Sequence, residues 1–271
     1  METLSCTACQ RTTSGHTLDW RCPCGATFSI ELRDTPRLEP KKRALGPKNL
    51  WRYRQALPIQ NDDSIISFGE GATPLLKTSL WGKELFLKQE QLFPTGSFKD
   101  RGSTLLISKV ADLGLTEVVE DSSGNAGCSI AAYSAPKNIR CEILVPQATS
   151  PAKLVQILSY GATLRKIPGS REDTAAAALK RAESLYYASH SWNPYFFQGT
   201  KTIAFEIWED LEYRVPDTLI LPVGNGTLFL GAYLGFKELQ ESGITNKIPR
   251  LIGIQTAQCA PLYATLQGQS F

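Results

Sequence analysis

No stretch of this 271-residue chain reaches the roughly 18 apolar residues that a membrane helix needs. The N-terminus carries cysteines where a signal peptide would have its hydrophobic region, so a cytoplasmic protein is expected. No block of charge is present either. The 29 basic and 26 acidic residues are spread along the chain and leave a formal net charge of +3, which argues against nucleic-acid and membrane partners. The short run Lys41, Lys42, Arg43 reads as a solvated part of a linker spanning Pro36 to Pro47. No internal repeat is evident, and no Gly-Lys-Ser/Thr follows a glycine loop, which excludes a P-loop.

What is there fits one large core or two modest ones, with 42% hydrophobic and 20% charged residues. Seven cysteines is an odd number, and Cys128, Cys141 and Cys259 stand among apolar neighbours as reduced, buried small residues. The other four are spaced for metal. Cys6-x-x-Cys9 is followed by Cys22-x-Cys24, and four thiolates across a short hairpin can wrap a tetrahedral zinc that folds a segment too small for its own core. The second pair is tighter than C-x-x-C, so a vestigial ribbon with free thiols is the competing reading.

From Glu84 onward short apolar runs alternate with helical patterns. Strands are predicted at 85–88, 117–120, 140–145, 163–167, 217–223 and 250–255. Helices are predicted at 97–113, 125–135, 151–160, 171–187, 200–211 and 227–241. Such alternation needs crossover connections and implies an α/β protein with parallel sheets covered by helices.

Three strand-to-helix junctions carry chemistry. In Pro94-Thr-Gly-Ser-Phe-Lys-Asp-Arg-Gly102, Ser97 is placed to cap a helix with Asp100 three residues on, which puts Lys99 in the first turn. The positive end of the helix dipole disfavours its ammonium and leaves a neutral amine able to attack an aldehyde. Alone, such a lysine would read as a solvated residue. Asp121-Ser-Ser-Gly-Asn-Ala-Gly127 is a small-residue loop that lets backbone approach a flat ligand, with the Asn125 amide as donor and acceptor. Pro222-Val-Gly-Asn-Gly-Thr-Leu228 aims consecutive amides at an anion on a helix N-terminus and reads as a monophosphate cradle. A dinucleotide loop competes, but the spacing is not G-x-G-x-x-G and the next strand ends at Gln255, not at an acid.

In this order and on these junctions, the three motifs resemble the signatures of fold-type II pyridoxal-phosphate (PLP) enzymes, whose fold is of the tryptophan synthase β type. Gly69-Glu-Gly-Ala-Thr-Pro-Leu75, Asn193-Pro-Tyr195 and Gly199-Thr-Lys-Thr202 are similar to the threonine synthases and their close relatives, among which an N-terminal cysteine pair also occurs. The resemblance covers about 68–255. It implies two doubly wound domains with parallel or mixed sheets: a small one over 86–164, and a large PLP-binding one over 36–85 and 165–271, behind a zinc-ribbon-like segment at 1–35.

By the same resemblance Lys99 forms the Schiff base, Asn125 bonds the ring's phenolic oxygen, and Gly224, Asn225, Gly226, Thr227 and Leu228 hold the phosphate. Ser122 and Ser123 face the substrate carboxylate, and Asn193 belongs to the substrate site. Lys88 falls where relatives have a second lysine near the substrate; an exposed charge at a strand end is the other reading. The implied reaction converts O-phospho-L-homoserine and water to L-threonine and phosphate, and the implied assembly is a homodimer. Two departures stand out. The arginine that relatives often carry soon after Asn-Pro is absent from Asn193-Pro-Tyr-Phe-Phe197, and the chain is expected to be truncated at its C-terminus, since relatives continue through further elements. Alternatives are therefore a cysteate-synthase-like or ammonia-lyase-like PLP enzyme, or a PLP-binding protein without turnover.

Overall fold

A computed structural model describes residues 2–32 and 47–269, so the expected linker lies outside it except for Pro47. Strands β1 (Glu2–Cys6), β2 (Thr12–Ser14) and β3 (Phe28–Leu32) form an antiparallel ribbon in the order β2-β1-β3. Cys6 closes β1 and Cys9 lies in the turn after it, Cys22 and Cys24 lie in the loop before β3, and the four sulfurs meet at one end. After two short 3-10 turns, β4 (Leu75–Leu80) and β5 (Lys83–Lys88) make a hairpin of which the sequence pattern revealed only the second strand. Its two turn residues, Trp81 and Gly82, have φ of +52° and +72°, the left-handed pair that a two-residue hairpin turn requires.

The strand-helix alternation then follows the prediction closely. Helix α1 (Lys99–Asp112), β6 (Glu117–Glu120), α2 (Asn125–Ser134), β7 (Arg140–Pro146), α3 (Pro151–Ser159), β8 (Thr163–Ile167) and α4 (Arg171–Arg181) succeed one another. The expected helix over 171–187 stops at Arg181, and Tyr186–Tyr187 is instead the strand β9. It pairs parallel with β6 and completes a four-stranded parallel sheet in the order β8-β7-β6-β9, so this sheet runs past residue 164. Cysteine burial also differs from expectation at one position. Cys128 and Cys141 are buried, but Cys259 is exposed because it lies in the turn after the last strand.

Helix α5 (Pro194–Thr200), which the pattern did not reveal, leads into α6 (Thr202–Asp210). Strand β10 (Thr218–Pro222), α7 (Thr227–Glu241) and β11 (Arg250–Ile254) then form a second parallel unit, with Thr218 opposite Arg250, before α8 (Pro261–Leu266). The main core joins the ribbon residues Leu4, Cys6, Cys22 and Phe28 to Leu106, Ile107 and Val110 of α1 and to Val118, Ile143 and Val145 of the sheet. A second core lies between α6 and α7, around Phe205, Trp208, Leu228 and Phe236. Helix α1 packs chiefly against α5 and α2 and is buried from Lys99 through Val110.

Candidate active site

Lys99 is the first residue of α1, but the capping differs from expectation: the N-cap is Phe98, and the Ser97 hydroxyl accepts from the Lys99 amide at 3.3 Å. Asp100 does not close a capping box. It turns inward to accept from the Thr95 amide at 2.8 Å, the Thr95 hydroxyl at 2.5 Å and the Ser129 hydroxyl at 2.6 Å, locking the lysine loop onto α2. The Lys99 ammonium is buried, and its contacts are long: 3.4 Å to Asn225 Oδ1 and 3.5 Å to Thr227 Oγ1. Burial is the main pressure on its charge and lowers the amine to about 8.

The lysine loop and the glycine loop, more than 120 residues apart, thus meet side chain to side chain. Gly226 has φ of +88°, a conformation open to glycine, and Cβ atoms placed on Gly224 or Gly226 would enter empty space. Thr227 starts α7 with its hydroxyl on Asn225 Oδ1 at 3.1 Å, while Leu228 turns its side chain into the second core. Beside this loop lies a cavity of about 360 Å³ lined by Ser191, Phe197, Val223, Asn225 and Tyr233 among others. A helix N-terminus with room for an anion, next to a lysine poised to be neutral, is a donor set that fits PLP.

The other expected residues divide. Asn125 opens α2 and is exposed; Ser122 and Ser123 are half-buried, with the Ser122 hydroxyl taking the Gly124 amide at 3.3 Å. Gly127 is obligatory there, because a Cβ would overlap the Ser122 carbonyl oxygen. Asn193 is fully buried and caps α5: its Oδ1 accepts from the Tyr195 amide at 3.1 Å and its Nδ2 donates to the Tyr186 hydroxyl at 2.9 Å. Lys88 is not an exposed strand-end charge. Its ammonium donates to the Thr73 carbonyl and to Asp210, each at 2.7 Å, and pairs with Glu206 at 3.0 Å.

Lys88 thereby joins a buried network centred on Arg101, which contacts Glu90 at 2.7 and 2.8 Å and Glu206 at 2.7 and 2.8 Å. Burial alone would raise Glu206, but Arg101 and then Lys88 outweigh it and hold the carboxyl at about 2. Where the resemblance expects an arginine, Phe196 is buried with its ring against Gly102 and 5.8 Å from the Lys99 ammonium.

Sequence reasoning missed a second buried group. Glu120 Oε1 lies 2.5 Å from His190 Nδ1, His190 Nε2 lies 3.3 Å from the Ser191 hydroxyl, and that hydroxyl accepts from Asn225 Nδ2 at 3.2 Å. An acid closing the apolar strand 117–120, directly before the small-residue loop, was the available signal.

The sequence profile of the family described as pyridoxal-phosphate dependent enzyme matches residues 66–271. The chain belongs to that family, in its fold-type II class. It is 37% identical over 270 residues to the threonine synthase of Methanocaldococcus jannaschii, covering 95% of this chain and 66% of that one. With the threonine synthase of Mycobacterium tuberculosis it shares 38% over 217 residues, covering 78% and 60%. Among solved structures, serine racemase from Dictyostelium discoideum superposes with a TM-score of 0.63 at 30% identity, over 73% of this chain and 64% of that one. The chain spans about two thirds or less of the length of these relatives.

Proposed function

We propose that this chain carries the PLP-binding part of a threonine synthase, converting O-phospho-L-homoserine and water to L-threonine and phosphate. The observation that carries the reading is the meeting of Lys99 with the Asn225–Thr227 loop, a buried amine lowered to about 8 beside an open anion cradle. Its similarity to two threonine synthases at 37% and 38% identity supports this reaction over others.

In this reading the amides of Gly224 to Leu228 would hold the cofactor's phosphate, Asn125 would bond its ring oxygen, and the Lys99 amine would be the group that attaches its aldehyde carbon. When bound, PLP supplies an electron sink for carbanion chemistry. Lys99 does the rest at its ζ nitrogen: with an amine near 8 a substantial fraction is neutral at physiological pH, available first as nucleophile and then as the base that carries the substrate proton. Ser122 and Ser123 orient the substrate carboxylate. Lys88 acts as a strut that ties the hairpin strand β5 to α6 through Glu206 and Asp210. Phe196 and Phe197, in the stretch after Asn193-Pro where an arginine is expected, favour the second reading, a related PLP enzyme with another leaving group, cysteate-synthase-like or ammonia-lyase-like.

The four ribbon cysteines are proposed to hold one structural zinc. Their sulfurs lie within 4.8 Å of one another, with Cys6–Cys24 at 3.4 Å and Cys9–Cys22 at 3.6 Å. A tetrahedron of Zn–S bonds of ~2.3 Å puts sulfurs about 3.8 Å apart. The Cys9 amide, 3.4 Å from Cys6 Sγ, heads the influences that bring that thiol down to about 6. A cytoplasmic homodimer completes the proposal.

Borohydride reduction of PLP-loaded protein followed by peptide mapping should place the adduct on Lys99, with threonine and phosphate formed in equal amounts from O-phosphohomoserine. Label on another lysine would sink the cofactor assignment. Label on Lys99 with turnover of other amino-acid substrates but none of O-phosphohomoserine would sink threonine synthesis and select the second reading.

A further inference from the structure

Glu120 and His190 are conspicuous because nothing in the proposed chemistry uses them. Glu120 ends β6 and His190 follows β9, and the parallel pairing of those strands, with Val119 opposite Tyr187, sets their C-terminal ends side by side. The carboxyl is fully buried and the imidazole nearly so. From them a continuous chain of contacts runs to the reactive lysine: 2.5 Å from Glu120 to His190, 3.3 Å on to Ser191, 3.2 Å to the Asn225 amide nitrogen, and 3.4 Å from the Asn225 oxygen to Lys99. We propose that Glu120 and His190 are positioning residues that fix the Ser191 hydroxyl and, through it, the orientation of the Asn225 amide that receives Lys99 and Thr227. The inference rests on the PLP reading of the site and adds to it the groups that aim the lysine.

Hydrogen-bond direction gives the chain its sense. Asn225 must present its oxygen to Lys99 Nζ and Thr227 Oγ1, so its nitrogen must find an acceptor, and Ser191 is that acceptor. A neutral imidazole protonated at Nε2 donates to the same hydroxyl, which leaves Nδ1 to accept from Glu120. The acid must then carry a proton. Its second oxygen, Oε2, is buried with no hydrogen-bond partner among the described residues, an arrangement tolerable for a neutral carboxyl and costly for an anion. The surroundings agree: burial and Asp121 push Glu120 up and outweigh the opposing pull of Lys99, Arg171 and the His190 backbone amide. Burial, Lys99 and Arg171 push His190 down to about 3 against Asp121. Tyr187 on β9 and Cys141 on β7, both raised chiefly by burial, stay neutral and add no charge.

An Asn225 amide free to rotate would offer Lys99 a donor in place of an acceptor, and the amine would lose its aim without losing the phosphate cradle, which is backbone. Two measurements separate these effects. In the cofactor-free protein, ¹⁵N NMR of labelled histidine reports two imidazoles, since the chain has two histidines, and His16→Gln assigns them. The His190 ring should remain neutral with its proton on Nε2 from about pH 5 to 8. A charged ring, or a proton on Nδ1, overturns the proposed direction of the chain.

In the second measurement, His190→Leu and Ser191→Ala should each slow the trapping of PLP on Lys99 roughly tenfold, the effect of about one buried hydrogen bond. Their affinity for pyridoxamine 5'-phosphate, which has the ring and phosphate but no aldehyde, should stay within about twofold of wild type on the same reasoning. Glu120→Gln, whose amide can still donate to Nδ1, should recover most of the rate that Glu120→Leu loses. Wild-type trapping rates in His190→Leu, or parallel loss of rate and analogue affinity in every variant, would refute a positioning role. Failure of the wild-type protein itself to trap PLP on Lys99 overturns the cofactor reading instead, and the NMR result then judges the chain alone.

Discussion

A single buried ammonium shows how function competes with stability here. Lys99 has its amine lowered to about 8 mainly by burial, with two long hydrogen bonds among the described residues, so the folded state resists its charge while the unfolded chain does not. A lysine depressed in the folded state is a liability that is fully present below pH 8 and is relieved as pH climbs from 8 towards its ordinary 10.5, where the unfolded chain binds more protons. Lys99→Met should therefore stabilise the cofactor-free protein at pH 7, on the order of 2 kcal/mol, with the gain shrinking above pH 8. Urea denaturation at several pH values measures it, and a pH-independent difference would contradict the burial argument. Lys99 could be singled out in sequence because its strand-loop-helix junction recurs with two companion motifs whose order resembles the PLP signatures; alone it reads as a solvated lysine. Glu120 and His190 could not be, since they are 70 residues apart and only the pairing of β6 with the two-residue strand β9 brings them together. The pattern hid that strand by letting Tyr186 and Tyr187 read as more of α4.

At the scale of elements, the site depends on how closely α1 and α5 approach. Gly102 of α1 faces the Phe196 ring, and a Cβ on Gly199 of α5 would overlap the Arg101 carbonyl oxygen. That contact sets the depth of Arg101, whose two carboxylate partners come from the 3-10 turn after β5 and from α6. Gly199→Ala must push the helices apart or strain α1, and should cost about 1–3 kcal/mol. Because α1 carries Lys99, the same variant should also bind PLP more weakly. Equilibrium unfolding together with cofactor titration tests both, and a variant as stable as wild type would mean the helices adjust freely. Helix α5 itself was half legible: Asn193 before Pro194 is an N-cap followed by a first-turn proline, the ordinary start signal. The sequence reading assigned those residues to a substrate motif, and the buried Asn193 amide is spent on the cap.

Across the whole molecule, the ribbon is part of the main body. Leu4, Cys6, Cys22 and Phe28 pack in the same core as α1 and the parallel sheet, and Glu2 pairs with the buried Lys109 of α1. The Tyr195 hydroxyl of α5 donates to the Gly15 carbonyl at 3.0 Å. Trp20 stands edge-on to Tyr187 at 5.0 Å and to Trp192 at 5.9 Å, and Arg21 lies over both tryptophan rings, at 4.4 and 5.8 Å. Trp192 is the neighbour of Ser191, so the turn bearing Cys22 and Cys24 buttresses the segment that supports the Lys99 site. In the zinc reading the four sulfurs are tied by the metal as well as by this core, and metal binding there would add folding energy. Protein purified without chelator should contain about one zinc per chain on this reading. Stripping it should make Cys6, Cys9, Cys22 and Cys24 titratable, red-shift emission from Trp20 and Trp192, and lower the melting midpoint. A loss of even 2 kcal/mol would move the midpoint by roughly 4–8 °C in a chain of this size. Trapping of PLP on Lys99 should slow in the same titration, because the loosened turn releases Trp192 and with it Ser191. Zinc-free protein with freely reactive thiols, an unchanged midpoint and unchanged trapping would show that the ribbon holds its shape, and the site its alignment, through protein contacts alone.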